Sequence, residues 1–399
     1  MRILLLTHRL PFPPNKGDKI RSFHLLAHLA RRHEVYLACL VDDEQDLAHI
    51  TEVTRRVRGF AHGVIGGRLR KLLSSASLLQ GRSVTVNYFY CARLQRQIDA
   101  WIDSLSFDCC FCFSSPMAEY LFRSVHAAGK LLDTVRVMDL IDVDSYKWRQ
   151  YARRAPFWSA WVYWLEARNL SAYERRIARS FDHLFVVSEQ ERSHFPDSAA
   201  AGSLRALANG VDLDFFTSAY VPVRQIAGRP LVFTGVMDYW PNVEGMIWFV
   251  ERILPRVRQR VPGTQLYIVG SRPTPAVRKL ARIPDITVTG FVADTRDYLA
   301  AASVCVVPLR IARGIQNKIL EAMAMGKPVV TTRQAFEGVR AVAGEEIVVA
   351  DGEENFARAT VNLLLDPAVA GRIGARARGC VERHYSWDAN LGELAQIGL

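Results

Sequence analysis

The chain has 399 residues, half of them hydrophobic and 23% charged, with 25 glycines and 17 prolines, an ordinary globular balance that excludes disorder and collagen-like repeats and suffices for two domains. Lys and Arg number 51 against 40 Asp and Glu, and the excess is local. Residues 51–100 hold nine basic against two acidic side chains and residues 147–180 eight against two, which points to a polyanionic partner, anionic lipid or nucleic acid.

The first apolar run, Ile3 to Leu6, stops at Thr7-His8-Arg9, too short for a signal segment, and no later run approaches the roughly 20 apolar residues of a membrane span. A strand at Ile3–Thr7, a helix at Asp18–Ala30, a strand at Val35–Leu40 and a helix from about Asp43 open a doubly wound α/β pattern. It continues through strands at Cys109–Phe113, Val135–Leu140 and Leu184–Val187, all non-alternating as a parallel sheet covered on both faces requires, and reaches Leu204–Leu207. Asn209-Gly210-Val211-Asp212 and a polar stretch to Pro230 mark a boundary. Beyond it, strands at Leu231–Thr234, Leu266–Val269, Ile286–Thr289, Val304–Val307, Val329–Thr331 and Ile347–Val349 make a second α/β domain. The expected architecture is two Rossmann-like parallel-sheet domains facing a cleft, 1–212 and 213–385, with 386–399 a C-terminal helix returning toward the first. Seven cysteines, an odd number without zinc spacing, read as buried thiols of a reducing, cytoplasmic compartment.

The segment richest in chemistry runs from Pro308 to Pro328. A buried strand ends there, a loop with Arg310 and Arg313 follows, and a helix is expected from near Gly314 to Gly326-Lys327-Pro328. Ile315, Ile319, Ala322 and Met323 form its core stripe, while Gly314, Asn317 or Lys318, and Glu321 share another face. A helix N-terminus after a parallel strand offers free N–H groups and a positive dipole end, and Gly314 admits a phosphate closely, so the segment outlines a diphosphate site. Glu321 is spaced to accept hydrogen bonds from a pair of ribose hydroxyls. The same charges would also serve as a solvated helix face of ordinary ion pairs, and both readings stay open on these residues alone.

These residues resemble the family 4 retaining glycosyltransferases of GT-B architecture, in which a Glu inside a Leu-Glu-Ala-Met-Ala run ending in Gly-x-Pro-Val-Val holds the donor ribose. Asn209-Gly210-Val211-Asp212, Val187-Ser188-Glu189, Gly290-Phe291-Val292 and Tyr385-Ser386-Trp387 are similar to other motifs of that family. The resemblance implies a donor site of Gly235, Phe291, Val292, Arg310, Arg313, Gly314, Ile315, Gln316, Asn317, Lys318 and Glu321. Two departures stand out. The Glu that commonly lies eight positions before the ribose Glu is here Arg313, and the Arg and Lys that commonly follow Thr234-Gly235 are replaced by Val236-Met237-Asp238-Tyr239-Trp240-Pro241-Asn242. Arg313 and Lys318 are the expected substitutes for the missing cations. Arg313-Gly314-Ile315-Gln316-Asn317-Lys318, Met237 to Asn242 and Asp142 to Trp148 resemble more narrowly the sugar transferases associated with PEP-CTERM/exosortase systems, which implies bacterial exopolysaccharide assembly.

The loop after the first strand is similar to the Pro-rich acceptor-side loop of that family, with Asn15, Lys16, Gly17 and Arg21 as candidates; a plain surface loop stapled by prolines is the alternative. Asp142 and Asp144, where many relatives carry a cleft His, are expected near the reacting sugar. No metal and no cofactor beyond the nucleoside-diphosphate-sugar substrate is expected. Residues 148–180 concentrate Trp148, Trp158, Trp161 and Trp164 among arginines, a pattern suited to an anionic membrane surface unless the tryptophans pack in the core. No nucleic-acid reading motif accompanies them. The resemblance implies transfer of a sugar from a nucleotide-sugar to a glycan or lipid-linked acceptor with retention; a nucleotide-sugar epimerase and a catalytically inactive GT-B scaffold are the rival readings.

Overall fold

A computed structural model describes residues 1–14, 16–67, 74, 77–78, 81–196, 204–223, 226, 228–312 and 314–399, the side chain of Arg154 excepted. The chain divides into two units, Met1–Ala208 with Leu391–Leu399, and Asn209–Asn390. Each is built on one wholly parallel sheet. Among the described residues no helix is long and apolar enough to cross a membrane.

The first unit orders its strands β3-β2-β1-β4-β5-β6-β7: β1 Arg2–Thr7, β2 Glu34–Val41, β3 Gly59–Val64, β4 Cys109–Phe113, β5 Val135–Ile141, β6 His183–Val186 and β7 Leu204–Ala206. Continuous apolar runs such as Ile3 to Leu6 and Cys109 to Phe113 are fully buried because helices cover both faces of a parallel sheet. All seven cysteines carry free thiols, and burial pushes those of Cys109, Cys110 and Cys112 upward, so they are packing groups rather than nucleophiles. The edge strand β3 was not legible. Its two glycines depress strand propensity, yet the sheet needs one of them: a Cβ on Gly59 would lie 2.4 Å from the Tyr36 ring.

Helix α1, Gly17–Ala30, follows β1. Between β5 and β6 the crossover is a hairpin of two helices, α2 Asp144–Arg154 and α3 Phe157–Ser180, broken at Ala155-Pro156. The two acids of α3 point inward and satisfy orphan helix N-termini. Glu166 accepts from Ser83 Oγ at 2.7 Å and from the N–H groups of Val84 and Thr85 at 2.8 and 2.9 Å. Glu174, wholly buried, accepts from Ser145 N at 2.9 Å and from its hydroxyl.

The second unit orders its strands β10-β9-β8-β11-β12-β13: β8 Leu231–Thr234, β9 Leu266–Val269, β10 Ile286–Gly290, β11 Val304–Val307, β12 Val329–Thr331 and β13 Val348–Val349. Each coincides with an expected strand to within two residues. Helix α4, Trp240–Trp248, follows β8, and α5, Asn317–Ala324, follows β11. The expected start of α5 at Gly314 is corrected to Asn317. Gly314 has φ +58 and Gln316 is extended at φ −82, ψ 103, so the chain cannot enter the helix before Asn317. Two motifs prove to be one structural joint. Val211 bridges Ser386, Val211 N donates to Tyr385 O at 2.8 Å, and a Cβ on Gly210 would stand 2.6 Å from the Trp387 ring.

Burial holds the Glu174 carboxyl up at about 8, above its ordinary 4.5, despite the Ser145 hydrogen bonds. The native state therefore binds a proton that the unfolded chain releases at lower pH, and this group costs stability progressively as pH rises from about 4.5 toward 8. Glu174→Gln keeps the shape and removes the titration, so its melting temperature relative to the parent is expected to rise between pH 6 and 8.5. A difference independent of pH would contradict the protonated native carboxyl.

Candidate functional site

At the carboxyl ends of the second unit's strands, glycines let neighbouring groups approach closely. A Cβ on Gly270, after β9, would fall 1.7 Å from Gly235 O, and a Cβ on Gly235, after β8, would fall 2.8 Å from Asn242 Nδ2 and 3.0 Å from Lys318 Nζ. Both positions exclude any side chain. Asn242, in the first turn of α4, donates through Nδ2 to Val236 O at 2.8 Å and accepts from Lys318 Nζ at 2.6 Å. The ammonium also stands 4.4 Å from the Phe233 ring centroid, a cation–π contact. Lys318 and Glu321, three residues apart on α5, share a face. Burial pushes Lys318 down to about 7 and Glu321 up to about 7, each charge partly restoring the other.

Among the described residues the Glu321 carboxylate makes no side-chain hydrogen bond, and Asn317 Oδ1 is buried without a partner. Ile315 is buried, Gln316 Nε2 donates to Gly314 O at 3.2 Å, and the Phe291 ring is 78% exposed beside Val292 after β10. Arg310 is directed elsewhere. Its guanidinium binds Glu244 and lies 5.3 Å from the Trp248 ring, beside a surface cavity that Trp240, Glu251, Arg252 and Glu353 also line. Arg313, expected both as catalytic cation and donor contact, lies outside the described residues. Asn242 was missed by sequence reasoning because its role depends on a partner 76 residues away.

In the first unit, the loop after β1 forms an ionic network. His8 Nε2 is 3.0 Å from Asp18 Oδ2, and Arg9 bridges Asp18 and, at 2.9 Å, Asp42. Burial works to raise the Asp18 carboxyl, but His8 and Arg9 overcome it and hold it well below the usual range. Among the acceptor-side candidates, Lys16 caps α1 in extended conformation, Gly17 is exposed at its first position, and Asn15 lies outside the described residues. Arg21 is only 1% exposed and donates to the equally buried Asp139 at 2.6 Å, which makes it a positioning group under β5. Asp144 accepts from Ser115 Oγ at 2.9 Å, and Asp142 is half-buried after Ile141, whose φ is +69. Among the described residues no group of three His, Cys, Asp or Glu is placed to hold a metal ion.

Two Rossmann-like parallel-sheet domains, the second with a cation and a carboxylate on the helix after its fourth strand, define the class: the fold is that of the GT-B glycosyltransferases. Residues 228–366 match the model of the family described as glycosyl transferases group 1. The GDP-mannose-dependent alpha-(1-6)-phosphatidylinositol monomannoside mannosyltransferase of Mycobacterium tuberculosis is 31% identical over 245 residues, 56% of this chain and 63% of that one. The lipopolysaccharide core biosynthesis glycosyltransferase LpsE of Rhizobium meliloti is 32% identical over 170 residues, 39% and 49% of the two chains. The chain thus spans less than two thirds of the length of these relatives. Sucrose-phosphate synthase from Thermosynechococcus elongatus superimposes with a TM-score of 0.71 at 19% identity, covering 100% of this chain and 98% of that one. Anabaena HepE in complex with UDP does so with 0.66 at 14% identity, covering 100% and 99%.

The pairing of Lys318 with Glu321 has a pH signature. A bound anion favours the ammonium and raises its pKa, so anion binding takes up a proton above about pH 7 and its affinity falls as pH rises through that value. Pyrophosphate affinity of the parent, referred to Lys318→Gln at each pH to cancel the ligand's own titration, is expected to decline between pH 6 and 8.5, by up to about tenfold per unit. Parallel profiles for the two proteins would remove Lys318 from the anion site.

Proposed function

We propose that this chain is a retaining glycosyltransferase that moves a sugar from a nucleoside-diphosphate-sugar to a glycan or lipid-linked acceptor in bacterial exopolysaccharide synthesis. The observation that carries the reading is the Lys318 ammonium held by Asn242 against Gly235 at the carboxyl end of β8, with Glu321 following on the same helix. A diphosphate fits the ammonium, ribose hydroxyls fit a carboxylate with unused acceptor capacity, and a base fits the exposed Phe291 ring. The UDP held by Anabaena HepE supports a nucleotide donor. The phosphatidylinositol monomannoside after which the Mycobacterium tuberculosis relative is named supports a lipid-linked acceptor.

In the proposed reaction the bond between the anomeric carbon and the diphosphate oxygen breaks, the acceptor oxygen bonds the same face of the sugar, and the acceptor's proton passes to a leaving-group oxygen. No side-chain nucleophile is needed. Charge develops on the departing diphosphate, so Lys318 and Arg313 stabilise the transition state electrostatically, an effect of roughly 3 kcal/mol for one well-placed donor. Asp142 and Asp144 are assigned to the sugar and Lys16 and Gly17 to the acceptor side, with Arg21 acting through Asp139. The loss of the usual Glu at Arg313 favours one alternative, a scaffold that binds nucleotide without turnover. Turnover of a panel of nucleotide-sugars, including slow hydrolysis without acceptor, separates the two.

Glu321→Ala is expected to weaken nucleoside and nucleoside diphosphate alike, by about 1.5 to 3 kcal/mol for each charge-assisted hydrogen bond lost. Arg313→Gln is expected to weaken the nucleoside diphosphate and leave the nucleoside unchanged. Calorimetric titration reads both. Undiminished nucleoside binding by the Glu321 variant would overturn the ribose assignment.

A further inference from the structure

The helix hairpin of the first unit carries an aromatic surface that the donor chemistry does not use. Phe157 is 91% exposed, Trp158 68%, Trp161 57%, Trp164 55% and Tyr151 42%. These side chains surround the Ala155-Pro156 break and the first two turns of α3, while Trp148 is half-buried and stacked on Tyr163 at 5.6 Å. The sequence alternative that these tryptophans pack in the core is therefore overturned for three of the four. Five large aromatic groups in water at one tip need a partner.

The charge around the tip says which kind. Trp161, Trp164, Arg168 and Arg179 recur at spacings that put them on one face of α3, grading from aromatic to basic, and Arg168 lies 6.0 Å from the Trp164 ring centroid. Arg149 and Arg153 are exposed on α2. The only acids of α3, Glu166 and Glu174, are 1% and 0% exposed and are occupied by N-terminal caps of other segments, so the exposed face of α3 is purely cationic. A second copy would bring like charges together. Trp161 Nε1 donates to Trp158 O at 3.0 Å, so that ring can leave water without stranding its N–H.

We propose that this hairpin docks the chain on an anionic lipid bilayer, with Phe157, Trp158, Trp161 and Trp164 entering the headgroup level and Arg149, Arg153 and Arg168 contacting lipid phosphates. The inference rests on this surface and not on the donor-site reading. Aromatic insertion supplies affinity that salt does not screen, and the arginines supply the preference for anionic lipid that salt does screen.

The test uses the full chain in cosedimentation with phosphatidylcholine vesicles, with and without phosphatidylglycerol, at low and high salt. Binding is expected only with phosphatidylglycerol, weakening with salt and accompanied by a blue shift of tryptophan emission. Phe157→Ser/Trp158→Ser/Trp161→Ser, with unchanged circular dichroism, is expected to lower partitioning at least roughly tenfold. Val125→Ser, at an exposed apolar residue elsewhere in the same unit, is expected to bind as the parent does. Nucleotide binding by the same preparations keeps failure of this proposal distinct from failure of the donor site. The proposal is overturned if the parent ignores anionic vesicles at low salt, if neutral vesicles bind as well, or if the triple variant binds undiminished. It is equally overturned if the variant loses self-association or oligonucleotide binding in place of vesicle binding.

Discussion

The geometry of the candidate site depends on one ammonium kept in a place that disfavours it. Lys318 Nζ sits against the Phe233 ring and within 2.6 Å of Asn242 Oδ1, and burial has pulled its proton affinity down to about 7. A side chain at Gly235 would displace Asn242 and the ammonium together, and one at Gly270 would push the end of β8 itself. The two glycines are thus conditions of the charge's position, and the strand order that makes β8 and β9 neighbours is a condition of the glycines. On the proposed reading, an ammonium held at this cost in the free protein is pre-organised for an anion, because little reorganisation remains when one arrives.

Buried charge elsewhere is handled in three different ways, and the differences separate structure from chemistry. Arg21 and Asp139 neutralise one another at 1% exposure, an arrangement that becomes costly only if one partner is removed. Asp18 has both His8 and Arg9 and stays ionised well below the usual range. Glu174 has hydroxyl and amide donors but no cation strong enough to offset burial, and it keeps its proton. Lys318 and Glu321 belong to none of these classes. Each shifts toward the other and neither is fully satisfied, the condition under which a third, charged group binds with gain.

Much of the fold was legible because parallel strands buried on both faces leave largely apolar runs, such as Ile3 to Leu6, Cys109 to Phe113 and Val304 to Val307. β3 was not, since its glycine is dictated by the Tyr36 ring on the neighbouring strand and not by its own propensity. The core stripe of α5 was readable from helical spacing, and Ile319, Ala322 and Met323 are all at most 1% exposed. Its first residue was misplaced by nearly a full turn because a glycine before a helix pattern signals either an anion-binding start or a left-handed loop, and only φ separates the two. Side-chain destinations were the least legible. Arg310 and Lys318 look alike in sequence, yet one is taken by Glu244 and the other by Asn242, and both partners come from a helix more than 60 residues earlier.

The same long-range logic bears on the missing cations after Thr234-Gly235. In their place the chain puts Asn242, a neutral group that cannot bind a phosphate by charge but can orient a cation arriving from another helix. On the proposed reading the positive charge is carried by α5, three residues before Glu321, instead of by the loop after β8. Charge and carboxylate then ride on one rigid helix whose opposite face is locked into the core by Ile319, Ala322 and Met323. Their spacing is fixed by helix geometry, and any movement of α5 carries both together.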